Sequence, residues 1–333
     1  MAGWDKYKIF VTGGAGFIGS HLVDALMDMG CYVRVVDNLS NGKLANLNQH
    51  KRNRRFDFVK GSVLNSSLMA KTMKGFDIVF HLACLGVRHS IKHPFDNHRV
   101  NAEGALIVLE NTYQQKIKKF VYCSSSEVYG DAKVIPMPES HPTHPHTVYG
   151  ASKLAGEAYA RAYDRAYGLN TTIVRLFNTF GPRSHYEGDA GEIIPKAIVR
   201  ALSNKPILIF GDGQQTRDFT FVHDSAQALI EAAKNPMATG KTFNAGSNFE
   251  ISMKQVANLI LKLIPGSRSK IEFLEKRPGD VRRLYADPTK FCRLTGWKPQ
   301  SSFKEGLIKT VEWFQSTAKN ISELAALETG RNW

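Results

Sequence analysis

Cysteine is scarce in this sequence. Its 333 residues include four, Cys31, Cys84, Cys123 and Cys292, with no CxxC pair and no metal-ligand spacing. A disulfide scaffold is excluded, and the apolar strand-like surroundings of Cys31 and Cys123 mark them as buried free thiols. Long apolar runs are missing as well. None approaches the roughly 20 residues needed to span a bilayer, and residues 1–8 carry no apolar core of the kind that opens a signal peptide. A cytoplasmic protein without membrane segments is therefore expected. Acidic residues fall short too: 30 Asp and Glu face 44 Lys and Arg, for a net charge of +14 and a pI of about 9.6. Such a balance raises the question of an anionic partner. The densest basic run, His50-Lys51-Arg52-Asn53-Arg54-Arg55, sits between two strand signals and lacks interleaved aromatics. It reads as a solvated loop rather than a nucleic-acid surface. Anionic small molecules account better for the basic excess.

What is present reads as an ordinary globular chain, 43% hydrophobic and 22% charged, with no internal repeat or low-complexity segment. Ile9-Phe10-Val11-Thr12 has the pattern of a short buried strand. Gly13-Gly14-Ala15-Gly16-Phe17-Ile18-Gly19 comes directly after it, and Ile18, Leu22, Val23, Leu26 and Met29 then recur at helical spacing up to Gly30. Tyr32 to Asp37 is the next strand. More strands are expected at 56–59, 77–82, 119–124 and 172–176, with helices at 97–115 and 149–167. Strands alternating with helices imply an α/β fold with a doubly wound parallel sheet of Rossmann type. Beyond about residue 181 the strands shorten and Pro, Gly and Arg increase. Helices near 192–202, 224–234, 252–264 and 303–315 suggest a smaller, interleaved substrate-binding unit.

Two patterns carry chemistry. Glycines 13, 16 and 19 lie between a strand and an amphipathic helix, where backbone can approach a pyrophosphate and helix-terminal N–H groups can face it. Asp37, at the end of the second strand, can accept hydrogen bonds from a ribose, and its charge repels a 2′-phosphate, which favours NAD over NADP. The second pattern is Tyr149-Gly150-Ala151-Ser152-Lys153. It puts a phenol and an ammonium one helical turn apart, and the ammonium, with a nicotinamide if one is bound, is expected to bring the phenol below its usual pKa of roughly 10. His141, His144 and His146 precede it in a proline-rich extended stretch whose spacing fits no common zinc pattern, so no metal is expected.

In order along the chain stand GGAGFIGS at 13–20, HLAC at 81–84, VNAEG around Asn101, SSSEVYG at 124–130, YGASK at 149–153, RLFN at 175–178, RDFTFVHD at 217–224 and RPGD at 277–280. Together they resemble the extended short-chain dehydrogenase/reductases of the nucleotide-sugar epimerase and dehydratase type, over nearly the whole chain. The resemblance implies an NAD-binding domain at 1–180 and a nucleotide-sugar-binding domain at 181–333. It assigns the cofactor to Gly13, Gly16, Phe17, Ile18 and Gly19 around the pyrophosphate, and Asp37 with Asn38 at the ribose. Leu82 and Ala83 would line the adenosine site, with Asn101, Tyr149 and Lys153 at the reacting end. Ser62 stands where the family usually has Asp for the adenine. Ser125, Tyr149 and Lys153 would be the catalytic trio, with Ser126 and Glu127 beside them. Asn178, Arg217 and Arg277 would clamp a nucleoside diphosphate, Asp280 would bind its ribose, and Leu208 and Phe210 would flank the base. The helices at 97–115 and 149–167 correspond to those that pair subunits in the family, so a homodimer is expected.

Oxidation of the sugar at C4 is common to the family, whereas the fate of the C4 ketone differs among its members. Glu127 favours dehydration, because a carboxylate there could remove the C5 proton once a C4 ketone acidifies it, and simple C4 epimerases usually lack it. Gly86-Val87-Arg88-His89-Ser90-Ile91 resembles a stretch of hexuronate epimerases, in which Arg88 could meet a substrate carboxylate, although Arg88 reads equally well as structural. YGASKLAGE resembles epimerases. Dehydration, C4 epimerisation and decarboxylation stay open, with dehydration ahead. The reading from another class is a non-catalytic dinucleotide- or RNA-binding scaffold.

Overall fold

The computed structural model describes residues 3–317 and 321–330, so the end of the expected second unit lies outside the described residues. Its frame is a seven-stranded parallel sheet. Six strands come from the first half: β1 (Lys8–Thr12), β2 (Tyr32–Asp37), β3 (Phe56–Lys60), β4 (Ile78–His81), β5 (Lys119–Ser125) and β6 (Thr171–Leu176). Across the sheet the order is Lys241–Ala245, β6, β5, β4, β1, β2, β3. Every pairing in it is parallel. The edge strand Lys241–Ala245, which is not among the strands expected from the sequence, returns from the second half to pair with β6.

Both faces of the sheet are covered, so successive strand residues face opposite cores. On one side Ile9, Val11, Val33 and Val35 pack with α1 (Phe17–Asp28) and the helix Val222–Lys234. On the other, Phe10, Val79, Phe120 and Tyr122 pack with further helices. The chain between β3 and β5 supplies α2 (Ser66–Thr72), α3 (Val87–Lys92), α4 (Pro94–His98) and α5 (Gly104–Gln114). The helix expected at 97–115 is thus α4 and α5 joined by a π turn at Arg99–Glu103. The long α6 (Val148–Tyr167) starts where the Thr147 side chain accepts the Gly150 N–H and stops at Gly168, whose φ of 66° ends the helix in the left-handed region.

The smaller lobe has its own core. The helices α7 (Ile193–Leu202), Met253–Leu263 and Phe303–Thr317 pack Ile198, Ile260, Leu307 and Phe314 together, with Phe180 and Phe221 at the junction to the sheet. Short strands complete the lobe. Ile207–Phe210 pairs with Ile271–Leu274, and Thr216–Asp218 lies between Glu250–Ser252 and Arg283–Leu284. Among the described residues no helix is long and apolar enough to cross a membrane.

Candidate active site

The C-terminal ends of β1, β2, β4, β5 and β6 open onto one cavity between the sheet and the smaller lobe, as doubly wound folds direct. The glycines sit at its floor for separate reasons. Gly13 has a φ of 72°, and a Cβ there would lie 2.6 Å from the Ala83 nitrogen. A Cβ at Gly19 would collide with the Gly13 carbonyl, so this glycine lets α1 pass the loop. Gly16 precedes α1, whose first N–H groups have no partner within the helix; a Cβ on Gly16 would meet little except the Gly13 carbonyl at 3.2 Å. Phe17 and Ile18 line the same wall. The turn therefore leaves a polar cradle that fits a pyrophosphate and that larger residues would fill.

Asp37 is buried at the end of β2. Its carboxylate accepts N–H bonds from Ala15 at 3.0 Å and Leu39 at 2.8 Å. Burial raises its pKa, against those two bonds, and its remaining lone pairs can receive ribose hydroxyls. Asn38 closes an Asx turn by accepting the Ser40 N–H. Ser62 likewise accepts the Leu64 N–H at 3.2 Å, leaving its hydroxyl proton to donate towards the cavity, where Leu82 and Ala83 form the adjoining wall. Asn101 is not itself among the residues that line the cavity, although Val100 beside it is. The Asn101 amide accepts from the Leu85 nitrogen at 2.8 Å and donates to the Leu85 carbonyl at 2.9 Å and to Asn97 at 3.1 Å. Those bonds use its polar capacity to fix the loop that carries the cavity wall from β4 to α3.

At the reacting end, β5 delivers Ser125, and a single 3-10 turn, Ser126–Val128, delivers Ser126 and Glu127. The Ser125 hydroxyl accepts the Glu127 N–H at 3.2 Å and hydrogen-bonds the Tyr149 phenol. Lys153, one turn along α6, donates to the Cys123 carbonyl at 2.9 Å, with its nitrogen 5.9 Å from the centre of the Tyr149 ring. Burial opposes the Lys153 charge, but Cys84, Tyr122 and Tyr149 around it favour the charged form, and the net direction is upward. For Tyr149 burial and the ammonium act in opposite directions. Desolvation raises the phenol more than Lys153 lowers it, so the ammonium offsets burial and does not by itself bring the phenol below 10.

The far wall is cationic. Arg217 and Arg277 both donate to one Asp280 oxygen, at 2.8 and 2.7 Å, which leaves most of their N–H groups unspent. Asn178 donates to the Asp218 carbonyl at 3.3 Å, and Leu208 and Phe210 line the wall from the strand Ile207–Phe210. Arg88 enters from α3. Burial, then repulsion from Arg277, lowers its pKa to about 10, while Glu192, Asp280 and Glu127 act to support its charge. Glu192 is not among the candidates drawn from the sequence. It stands at the N-cap of α7, lines the cavity, and burial pushes its carboxyl up to about 7 despite Arg88. No spacing rule marks it, because its proximity to Arg88 is purely tertiary. His141, in contrast, is committed to the backbone, accepting the Lys133 N–H at 2.8 Å with its other nitrogen 2.7 Å from the Pro142 carbonyl. Among the described residues no group of three or more potential ligands could hold a metal.

A glycine-floored cradle, a Ser-Tyr-Lys trio and an arginine wall share one cleft, an arrangement suited to dinucleotide-dependent oxidation of a phosphorylated ligand. Comparison with known proteins narrows the class. A family model described as GDP-mannose 4,6 dehydratase matches residues 10–310. A putative UDP-glucose 4-epimerase from Methanocaldococcus jannaschii is 37% identical, over 92% of this chain and 98% of the relative. The crystal structure of a UDP-glucose 4-epimerase from Thermotoga maritima with UDP-glucose is 35% identical, with a TM-score of 0.88, covering 94% of this chain and 100% of that one. The dTDP-glucose 4,6-dehydratase DesIV from Streptomyces venezuelae, with NAD bound, is 29% identical with a TM-score of 0.90, covering 96% and 100%. The chain belongs to the extended short-chain dehydrogenase/reductase family of nucleotide-sugar epimerases and dehydratases.

Proposed function

We propose that this protein is an NAD-dependent nucleotide-sugar 4,6-dehydratase. The observation that supports dehydration is Glu127, a half-buried carboxylate in the same cavity as Ser125, Tyr149 and Lys153. Gly13, Gly16, Gly19 and Asp37 would hold NAD, which when bound accepts a hydride from sugar C4 and later returns it to the sugar. Ser125 orients the C4 hydroxyl and Tyr149 takes its proton. Lys153 favours the phenolate and in doing so offsets part of the cost of burying it. The C4 ketone acidifies the C5 proton, and Glu127 is the base that removes it. Arg217 and Arg277 hold the diphosphate, a task suited to paired guanidinium groups, with Asn178 beside them, Asp280 on the ribose, and Leu208 and Phe210 at the base.

A second reading, C4 epimerisation, is favoured by the two similar proteins named as UDP-glucose 4-epimerases. The two readings separate in one experiment: the purified protein is incubated with NAD and with UDP-, dTDP- and GDP-hexoses, and the products are weighed by mass spectrometry. Loss of one water supports the dehydratase, whereas an isomer of unchanged mass refutes it in favour of the epimerase. A homodimer is also proposed, supported by exposed Leu106, Tyr113 and Tyr167 on the α5 and α6 faces; sedimentation at the mass of a single chain would remove it.

A further inference from the structure

We infer that the segment at 321–330 is a strap that closes the nucleobase end of the cleft, with Glu328 as the positioning residue that fastens it. The inference rests on the nucleotide-sugar reading and adds a wall that reading does not contain.

Lys196 and Arg200 stand one helical turn apart on α7, and both line the cavity. The Glu328 side chain, 1% exposed, meets both of them. One of its oxygens lies 3.3 Å from Lys196, and the other accepts from Arg200 at 2.6 Å. Lys196 also donates to the carbonyls of Thr329 at 2.5 Å and Gly330 at 3.1 Å. Through its Nε, Arg200 donates to the Pro206 carbonyl as well. Pro206 directly precedes the strand Ile207–Phe210, so a continuous run of polar contacts joins the segment to the strand that carries Leu208 and Phe210. Lys205 adds a bond to the Ala325 carbonyl at 3.0 Å.

The end of the segment reaches the cavity itself. Gly330 lines it, and a Cβ on Gly330 would stand 3.5 Å from Leu208 Cδ1, in ordinary contact with a residue assigned to the base. Gln215 lines the cavity too. It is buried and donates to the Phe210 carbonyl at 2.6 Å, while its side-chain oxygen has no hydrogen-bond partner among the described residues. An unpaired buried acceptor is costly, and the ring N–H of uracil, thymine or guanine would supply its donor. This end of the cleft is built to enclose a base, and the segment forms one of its sides.

The hold on the segment is mainly polar. Its helix, Ile321–Leu327, has seven residues, too few to be stable alone. Among the described side chains of that helix only Ala325 is buried, and Leu327 is 55% exposed. An open notch lined by Leu202, Lys205 and Ile321 lies against it. With so little apolar anchorage, docking depends on Glu328 and its two cations. The strap can lift to admit a nucleotide and settle again over its base.

The test is Glu328→Gln in the NAD-saturated protein, with UDP, GDP and inorganic pyrophosphate as ligands in calorimetry. Pyrophosphate engages Arg217 and Arg277 and does not extend to the base end. Loss of the charge that fastens the strap should weaken UDP and GDP about 10-fold, as when the docked fraction falls to about a tenth. Pyrophosphate should bind the variant within about twofold of the wild type, which a general loss of structure would not allow. Hydrogen exchange on the wild type is independent of the variant's folding: UDP should slow exchange of the amides at 328–330, and pyrophosphate should not. If the variant binds UDP as tightly as the wild type, or loses pyrophosphate in equal measure, Glu328 does not fasten a wall of the base site. If UDP slows exchange at 207–210 and leaves 328–330 unchanged, the segment does not close on the base. If the wild type binds none of UDP, dTDP and GDP more tightly than pyrophosphate, the nucleotide-sugar reading fails and takes the strap with it.

Discussion

Replacing Glu157 with Gln should destabilise the protein heavily, although the residue touches neither expected ligand. Glu157 is fully buried on α6, one turn past Lys153, and its carboxylate joins three elements. It accepts from Ser124 of β5 at 2.6 Å, from Arg175 of β6 at 2.8 and 2.7 Å, and from Arg161 at 3.0 Å. The Arg175 side chain is only 5% exposed and also donates to the Tyr129 hydroxyl at 2.7 Å. Removing the carboxylate charge leaves that guanidinium buried without its counter-ion, a change that typically costs about 3–5 kcal/mol. In a chain of this size the loss corresponds to a fall in Tm of about 4–7 °C. Differential scanning calorimetry reads it directly. Burial raises the Glu157 carboxyl, but the bonds from Arg175, Ser124 and Arg161 outweigh burial and hold it below its usual 4.5. The stabilisation is thus present above about pH 4.5 and lost as pH falls through the folded value, so the Tm values of wild type and variant should converge in acid. In a double-mutant cycle with Arg175→Met, the coupling should reach about 2–3 kcal/mol. A Tm change under about 2 °C at neutral pH, or coupling near zero, would refute the idea that this ion pair ties α6 to the sheet.

Tyr149→Phe keeps the ring and removes the proton acceptor, so turnover should drop about 10²–10⁴-fold, while nucleotide-sugar affinity measured by calorimetry stays within a few-fold. Asp37→Ala removes the carboxylate expected at the ribose. NAD affinity should fall about 10–100-fold, the worth of charged hydrogen bonds lost from a buried site, and the discrimination against NADP should shrink. Titration of the variant with both dinucleotides checks this, and an unchanged preference would count against the Asp37 assignment.

How much of the site is legible in the sequence depends on the range of the interactions. The cradle is readable because glycines 13, 16 and 19 and Asp37 act within one strand-helix-strand unit, where spacing alone places them. Tyr149 and Lys153 are readable because helical geometry sets one a turn from the other. The ionisation of the phenol is not, because burial in the cavity, a tertiary property, outweighs the adjacent ammonium. The bonds of the Asn101 amide to Leu85 are not legible, since they join a helix to a loop 16 residues earlier, whereas its contact with Asn97 follows helical i, i+4 spacing. The return of Lys241–Ala245 to the edge of the sheet leaves no local mark, since its partner β6 lies far earlier in the chain. Glu192 is hidden for the same reason: only the folded chain sets it near Arg88.

The most direct test of C5 chemistry is turnover in deuterated solvent, with NMR of the sugar product. With Glu127 as base, the account predicts a 4-keto-6-deoxy sugar carrying solvent deuterium at C5. A product that has inverted at C4 and kept its original C5 hydrogen would contradict it.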